Sequence, residues 1–117
     1  MKRFEFFYQS ADNKTKIHAV KWMPEREPVG IIQIAHGVTE YILRYEEFAR
    51  YLTDSGFIVV GNDHLGHGKS IADGAKTMYF GPKGSWKWVV EDIKMLKNIM
   101  VERYPDLPYV MLGFSLG

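Results

Sequence analysis

Three short apolar runs, at residues 29–35, 57–62 and 109–112, alternate with two stretches of helical periodicity, and this alternation restricts the fold more than any other feature of the chain. Runs without a clean polar–apolar alternation suit strands covered on both faces. In the first helical stretch, residues 44–55, Tyr45, Phe48, Ala49 and Leu52 recur at spacings of three and four, and Gly56 is placed to stop it. In the second, Ser85 offers an N-cap and Trp86, Val89, Val90, Ile93, Leu96 and Met100 form one apolar stripe that ends before Pro105. Trp86 is therefore expected in the core. Strand, helix, strand, helix, strand predicts an α/β fold, a parallel sheet with crossover helices. Ahead of it, residues 3–9 and 15–22 are rich in aromatic and β-branched side chains and flank a polar turn at residues 10–14, which reads as an antiparallel hairpin.

Composition narrows the class of function. The 117 residues suit one domain, and 46 % hydrophobic with 15 % aromatic content argues for a packed core over disorder. Fifteen Lys and Arg balance fourteen Asp and Glu, with no basic stripe interleaved with aromatics, so nucleic acid is not an expected partner. The N-terminal residues lack the continuous apolar stretch of an export signal, and the chain has no cysteine, which excludes disulfides and thiol catalysis and points to the cytoplasm.

The third apolar run leads directly into Gly113-Phe114-Ser115-Leu116-Gly117, a G-x-S-x-G pentapeptide. A strand entering this motif is the setting of a nucleophile elbow, in which glycines permit a sharp turn that lifts a serine out of the sheet. A serine hydroxyl needs a base to remove its proton, and the tetrahedral intermediate needs two donors aimed at its oxyanion. Ser115 is the candidate nucleophile and the Leu116 amide one donor. The second is expected from the loop after the first apolar run, where His36-Gly37-Val38 begins, with Val38 the candidate amide. His36 is read as shaping that loop and not as the base. His18 reads as a surface or internally satisfied histidine. Asp63, His64 and His67 could suggest a metal site, but a zinc centre needs three or four converging ligands and a supporting shell, so no metal is expected and these residues are read, with Gly37, as organising loops beside the site. The glycine pattern lacks the nucleotide-binding fingerprints, and no cofactor is expected.

Three motifs in order, His36-Gly37-Val38-Thr39-Glu40 with Arg44-Tyr45, the run from Asp63 to Ser70, and residues 104–108 leading into the G-x-S-x-G pentapeptide, resemble the N-terminal half of an α/β-hydrolase of the monoacylglycerol lipase and lysophospholipase group, also called serine aminopeptidase-like hydrolases. The resemblance covers essentially all of residues 1–117 and implies one domain cut after the elbow. It implies Ser115 as nucleophile, Val38 and Leu116 as oxyanion amides, and hydrolysis of carboxylic esters of glycerol or lysophospholipids through an acyl-enzyme. Phe114 stands where the group usually has histidine. The family order places the triad Asp and His after the serine, and all four histidines here precede it. The chain by itself is therefore expected to be inactive, to self-associate or pair with a missing half through an exposed edge strand, and to touch membrane only through a lid beyond these residues. Other carboxylesterase or proline iminopeptidase activity, and a non-catalytic α/β interaction module, remain open alternatives.

Overall fold

The computed structural model describes residues 1–37, 40–70 and 86–114. Strands β1 (Lys2–Gln9) and β2 (Lys16–Met23) form the expected antiparallel hairpin, from Lys2 opposite Met23 to Gln9 opposite Lys16. β3 (Gly30–Ala35) leads through a short 3-10 turn (Ile42–Tyr45) into α1 (Glu46–Asp54), then β4 (Phe57–Asn62), α2 (Trp86–Arg103) and β5 (Tyr109–Gly113). The sheet order is β1-β2-β4-β3-β5, with β3 parallel to both β4 and β5. The chain thus moves one way from β3 to β4 and then back past β3 to β5.

The helices cover opposite faces of this sheet, which explains why β3 and β4 read as continuous apolar runs. On one face Ala49 of α1 packs with Val20, Trp22, Ile32, Ile34, Ile42 and Val59. On the other, Leu96 and Met100 of α2 pack with Ala19, Ile31, Ile58 and Val60. Full burial of side chains of this size stabilises by about 1.5–3 kcal/mol each. The first helix is shorter than its periodicity suggested, because residues 42–45 tighten into 3-10 geometry before α1 begins. Glu46 anchors it to the hairpin, accepting hydrogen bonds from the Trp22 indole at 3.1 Å and Arg3 at 2.7 Å.

In α2 the buried stripe is Val89, Asp92, Leu96 and Met100, which corrects two expectations. Trp86 is 61 % exposed, with the Lys87 ammonium 5.9 Å over its ring, because it lies a turn ahead of Val89, the first buried residue of α2. Val90 faces outward, about 100° round the helix from Val89. The carboxylate of Asp92 enters the core in their stead because the hairpin turn supplies its partners: the Ser10 hydroxyl and the Ala11 amide each donate at 2.7 Å. The expected Ser85 cap lies outside the described residues. Gln33, fully buried in the middle of β3, donates to the Ile93 carbonyl and accepts the Tyr109 hydroxyl. Among the described residues β5 pairs only with β3, and Val110 and Met111 stand 50 % and 43 % exposed on this edge strand. No helix among the described residues is long and apolar enough to cross a membrane.

Candidate active site at the ends of three parallel strands

Ala35 lies in register with Asn62 on one side and Gly113 on the other, so β3, β4 and β5 end in one row. The Phe114 amide continues that row by donating to the Ala35 carbonyl at 3.0 Å. The three loops that carry the sequence motifs therefore leave the sheet side by side, at its carboxyl edge and where the strand order reverses. In open α/β sheets this is where ligands bind. Ser115, Leu116 and Val38 lie outside the described residues; the residues next to them in the chain, Phe114 and Gly37, belong to adjoining strand ends. The Phe114 ring packs against Tyr45 and Phe48, at centroid distances of 5.1 and 6.4 Å.

In the loop after β3, His36 is fully buried and both its ring nitrogens are occupied. Nε2 accepts the His64 amide at 2.9 Å, so Nδ1 carries the proton and donates to the Gly37 carbonyl at 2.7 Å. His64 answers with Nε2, which donates to the His36 carbonyl at 2.8 Å; its Nδ1 has no hydrogen-bond partner among the described residues. Burial holds the His36 imidazole below its ordinary pKa, and burial together with the neighbouring His36 pushes His64 down to about 3. Neutral rings in van der Waals contact, 4.0 Å between centroids, thus tie the first loop to the second.

Asp63 organises the second loop. One carboxylate oxygen accepts the Ile42 amide at 2.7 Å, and the other accepts the Lys69 amide at 3.0 Å and faces His18 Nδ1 at 2.7 Å. Gly68 makes this closure possible: it has φ +51°, and a Cβ there would stand 2.5 Å from the Asp63 carboxylate. The Ser70 hydroxyl accepts the His18 amide at 2.9 Å, pinning the loop's far end to β2. His67 donates its backbone N–H to the His64 carbonyl at 2.8 Å, and its Nδ1 meets the Leu65 carbonyl at 3.2 Å. Among the described residues no three His, Asp or Glu side chains converge as a metal ion would require.

Of the two readings of His18 the structure takes the internally satisfied one: it is buried, and its second ring nitrogen lies 2.7 Å from Glu5, whose carboxyl this bond holds below the ordinary glutamate range. Glu5 escaped the sequence reading, as did the roles of Glu40 and Ser70. The alternation of β1 and β2 puts Glu5 and His18 on one face, but nothing local distinguishes that face from solvent. Glu40 accepts the Gly37 amide at 2.7 Å and the Tyr45 hydroxyl at 2.6 Å on one oxygen. Ser70 was legible only as part of a motif.

A model of the serine aminopeptidase S33 family matches residues 26–117. The chain is 34 % identical over 96 residues to a monoacylglycerol lipase of Mycolicibacterium smegmatis, covering 82 % of this chain and 32 % of that protein. It is 34 % identical over the same length to human monoglyceride lipase, covering 82 % and 30 %. It therefore spans about a third of the length of these curated relatives. A thermostable carboxyl esterase from Bacillus coagulans superposes with a TM-score of 0.89 at 38 % identity, over all of this chain and 37 % of that one. The strand order, the row of strand ends and these matches agree: the chain has the α/β-hydrolase fold and belongs to the serine aminopeptidase S33 family of hydrolases.

Proposed function

We propose that this chain carries the nucleophile Ser115 and the oxyanion amides of Val38 and Leu116 of a serine hydrolase that cleaves carboxylic esters of monoacylglycerol or lysophospholipid type. The observation that carries the reading is the convergence of the three motif loops at the row Ala35, Asn62 and Gly113. The names of the relatives support the ester class. In this mechanism Ser115 Oγ attacks the ester carbonyl carbon while a base takes its proton. The tetrahedral oxyanion is held by the two amides, the bond to the alcohol breaks as the base returns the proton, and water then releases the acid from the acyl-enzyme. The Gly37 amide is occupied by Glu40, which leaves Val38 as the next donor along the loop.

The base is not expected from His36, His18 or His64: His36 has both nitrogens engaged, His18 lies between two carboxylates, and burial makes His64 too weakly basic to take a proton. His67 meets the Leu65 carbonyl through Nδ1, and like the other three it precedes Ser115, whereas the family order puts the base after the serine. The triad Asp and His are therefore proposed to come from outside these residues, and the chain alone to be inactive. Intact-mass measurement after incubation with a fluorophosphonate tests this. An adduct on a longer form of the protein carrying an Asp and a His after Ser115, absent in Ser115→Ala and absent from the 13.6 kDa chain, is the expected result. An adduct on the 13.6 kDa chain itself would show that it supplies its own base. Parallel assays with a monoacylglycerol, a short p-nitrophenyl ester and a proline anilide separate the lipase reading from a general carboxylesterase or an iminopeptidase, the last favoured by the family's aminopeptidase description.

A further inference from the structure

We propose that Glu40 and Tyr45 are positioning residues that hold the loop after β3 and the end of β5 at a fixed separation, so that the amide of Val38 is presented to the same carbonyl that Ser115 attacks; the catalytic half of this proposal rests on the ester-hydrolase reading above. The Glu40 side chain and Tyr45 were marks of the sequence motif, yet the chemistry of acyl transfer assigns them no step.

The geometry gives them one. Residues 37 and 40 are joined twice, once by the Glu40 amide donating to the Gly37 carbonyl at 3.2 Å and once by the Gly37 amide donating to Glu40 Oε1 at 2.7 Å. Gly37 and Glu40 are thus held to each other by both bonds, and the Gly37 amide is already occupied. The same Oε1 accepts the Tyr45 hydroxyl at 2.6 Å. The ring of Tyr45 lies 5.1 Å from that of Phe114, the residue before Ser115, and the Phe114 amide is bonded to Ala35. Tyr45 is therefore in contact with both segments whose relative placement acyl transfer requires, its hydroxyl on one and its ring on the other. An oxyanion donor misplaced by a fraction of an ångström loses its value, because the advantage of such donors is that they need no reorganisation as charge develops.

Charge alone does not explain the arrangement. Arg44 approaches Glu40 only at 3.9 Å and is exposed, a type of pair that contributes little. A role for Glu40 as general acid is also disfavoured, since the Tyr45 hydroxyl first and the Gly37 amide second hold its carboxyl below the ordinary glutamate range, with Arg44 and His36 the other charged or titratable groups acting on it.

The test uses Tyr45→Phe, which keeps the ring and removes the hydroxyl, with Glu40→Ala and the conservative Glu40→Gln. In 15N-labelled protein the Gly37 amide proton is expected to follow the titration of Glu40, with the midpoint rising in Tyr45→Phe. Its hydrogen exchange should quicken by about tenfold in Tyr45→Phe, the loss of one hydrogen bond to a charged group. A Gly37 amide indifferent to Glu40 and to Tyr45→Phe overturns the clamp. In turnover of a short p-nitrophenyl ester by an active form of the protein, Tyr45→Phe and Glu40→Ala should lower kcat by about tenfold or more with KM little changed, and Glu40→Gln should restore most of the loss. Unchanged kcat in variants whose Gly37 amide has come loose overturns the positioning role and leaves the esterase reading intact. A protein with no esterase activity in any form overturns that reading and the catalytic half with it, while the amide signals, read without substrate, still decide the clamp.

Discussion

Replacing Asp63 by asparagine changes almost no volume and removes one acceptor from the centre of the candidate site. The carboxylate receives the Ile42 amide on one oxygen and the Lys69 amide and His18 ring on the other, and the residue is 2 % exposed. Asparagine has a single acceptor oxygen. With that oxygen toward His18 and Lys69, its NH2 meets the Ile42 N–H, donor against donor. With the amide flipped, Ile42 is satisfied and His18 can accept from the NH2 by changing tautomer, but the Lys69 N–H is left facing a donor. Either orientation strands one backbone amide, and a buried unsatisfied donor costs about 1–3 kcal/mol. With a urea m-value of about 2 kcal/mol/M, the unfolding midpoint of Asp63→Asn should fall by about 0.5–1.5 M. Amide exchange should accelerate at Ile42 or Lys69 and not at Ile58 in β4. Asp63→Ala strands all three donors at once and approaches the whole stability of a small domain, about 5–15 kcal/mol, so it should fail to fold. A midpoint for Asp63→Asn equal to that of the parent protein would refute the assignment of Asp63 as the residue that closes this loop.

Other perturbations probe the core, the buried carboxylate and the edge. A Cβ at Gly61 would stand 2.2 Å from Ile42 Cδ1 and 2.7 Å from the Ile34 carbonyl, so Gly61→Ala should cost at least about 1–3 kcal/mol; a Tm unchanged by the substitution contradicts this. Desolvation raises the Asp92 carboxyl above its ordinary value of 3.8 despite two hydrogen bonds, so the folded state binds its proton more tightly than the unfolded state. The stability this provides is complete below the unfolded value and is lost as pH rises through the folded one. Asp92→Asn keeps an acceptor for Ala11 and should therefore gain on the parent protein as pH rises above about 4, measured by denaturation across pH; a difference independent of pH would count against the buried-charge account. The 117-residue chain is expected to associate through β5, where Val110 and Met111 are exposed, and Val110→Lys should reduce that association. A compact monomer across a dilution series by light scattering would exclude it.

The elements were legible because each depends on a local pattern. The hairpin, all three parallel strands and both helices follow from runs and spacings in the chain, and the errors fell where a local pattern left burial undecided. Trp86 fits the apolar stripe of α2 by spacing, yet the helix begins beyond the surface it packs against. Asp92 breaks the stripe by type and is buried all the same, since its partners lie 82 and 81 residues away. Of the candidate site, the motif order pointed to three loops, and the register of Ala35 with Asn62 and Gly113 brings their starting points together. Glu5, the partners of His18 and the role of Glu40 were not legible, because a polar residue gives no local sign of which distant group will meet it.

Periodicity along the chain, set by side-chain volume and polarity, was enough to determine which segments are strands and helices and that the sheet is covered on both faces, and the sequence places a serine between two glycines just after the last strand. The order β1-β2-β4-β3-β5, the placing of α1 and α2 on opposite faces, and the pairing of His18 with Asp63 across 45 residues were decided only by tertiary structure. The reason is physical: burial of an apolar side chain is non-directional and is satisfied by any apolar neighbour, so it leaves a pattern in sequence. A buried polar group requires one particular partner at hydrogen-bond distance, and that partner exists only once the strands have packed.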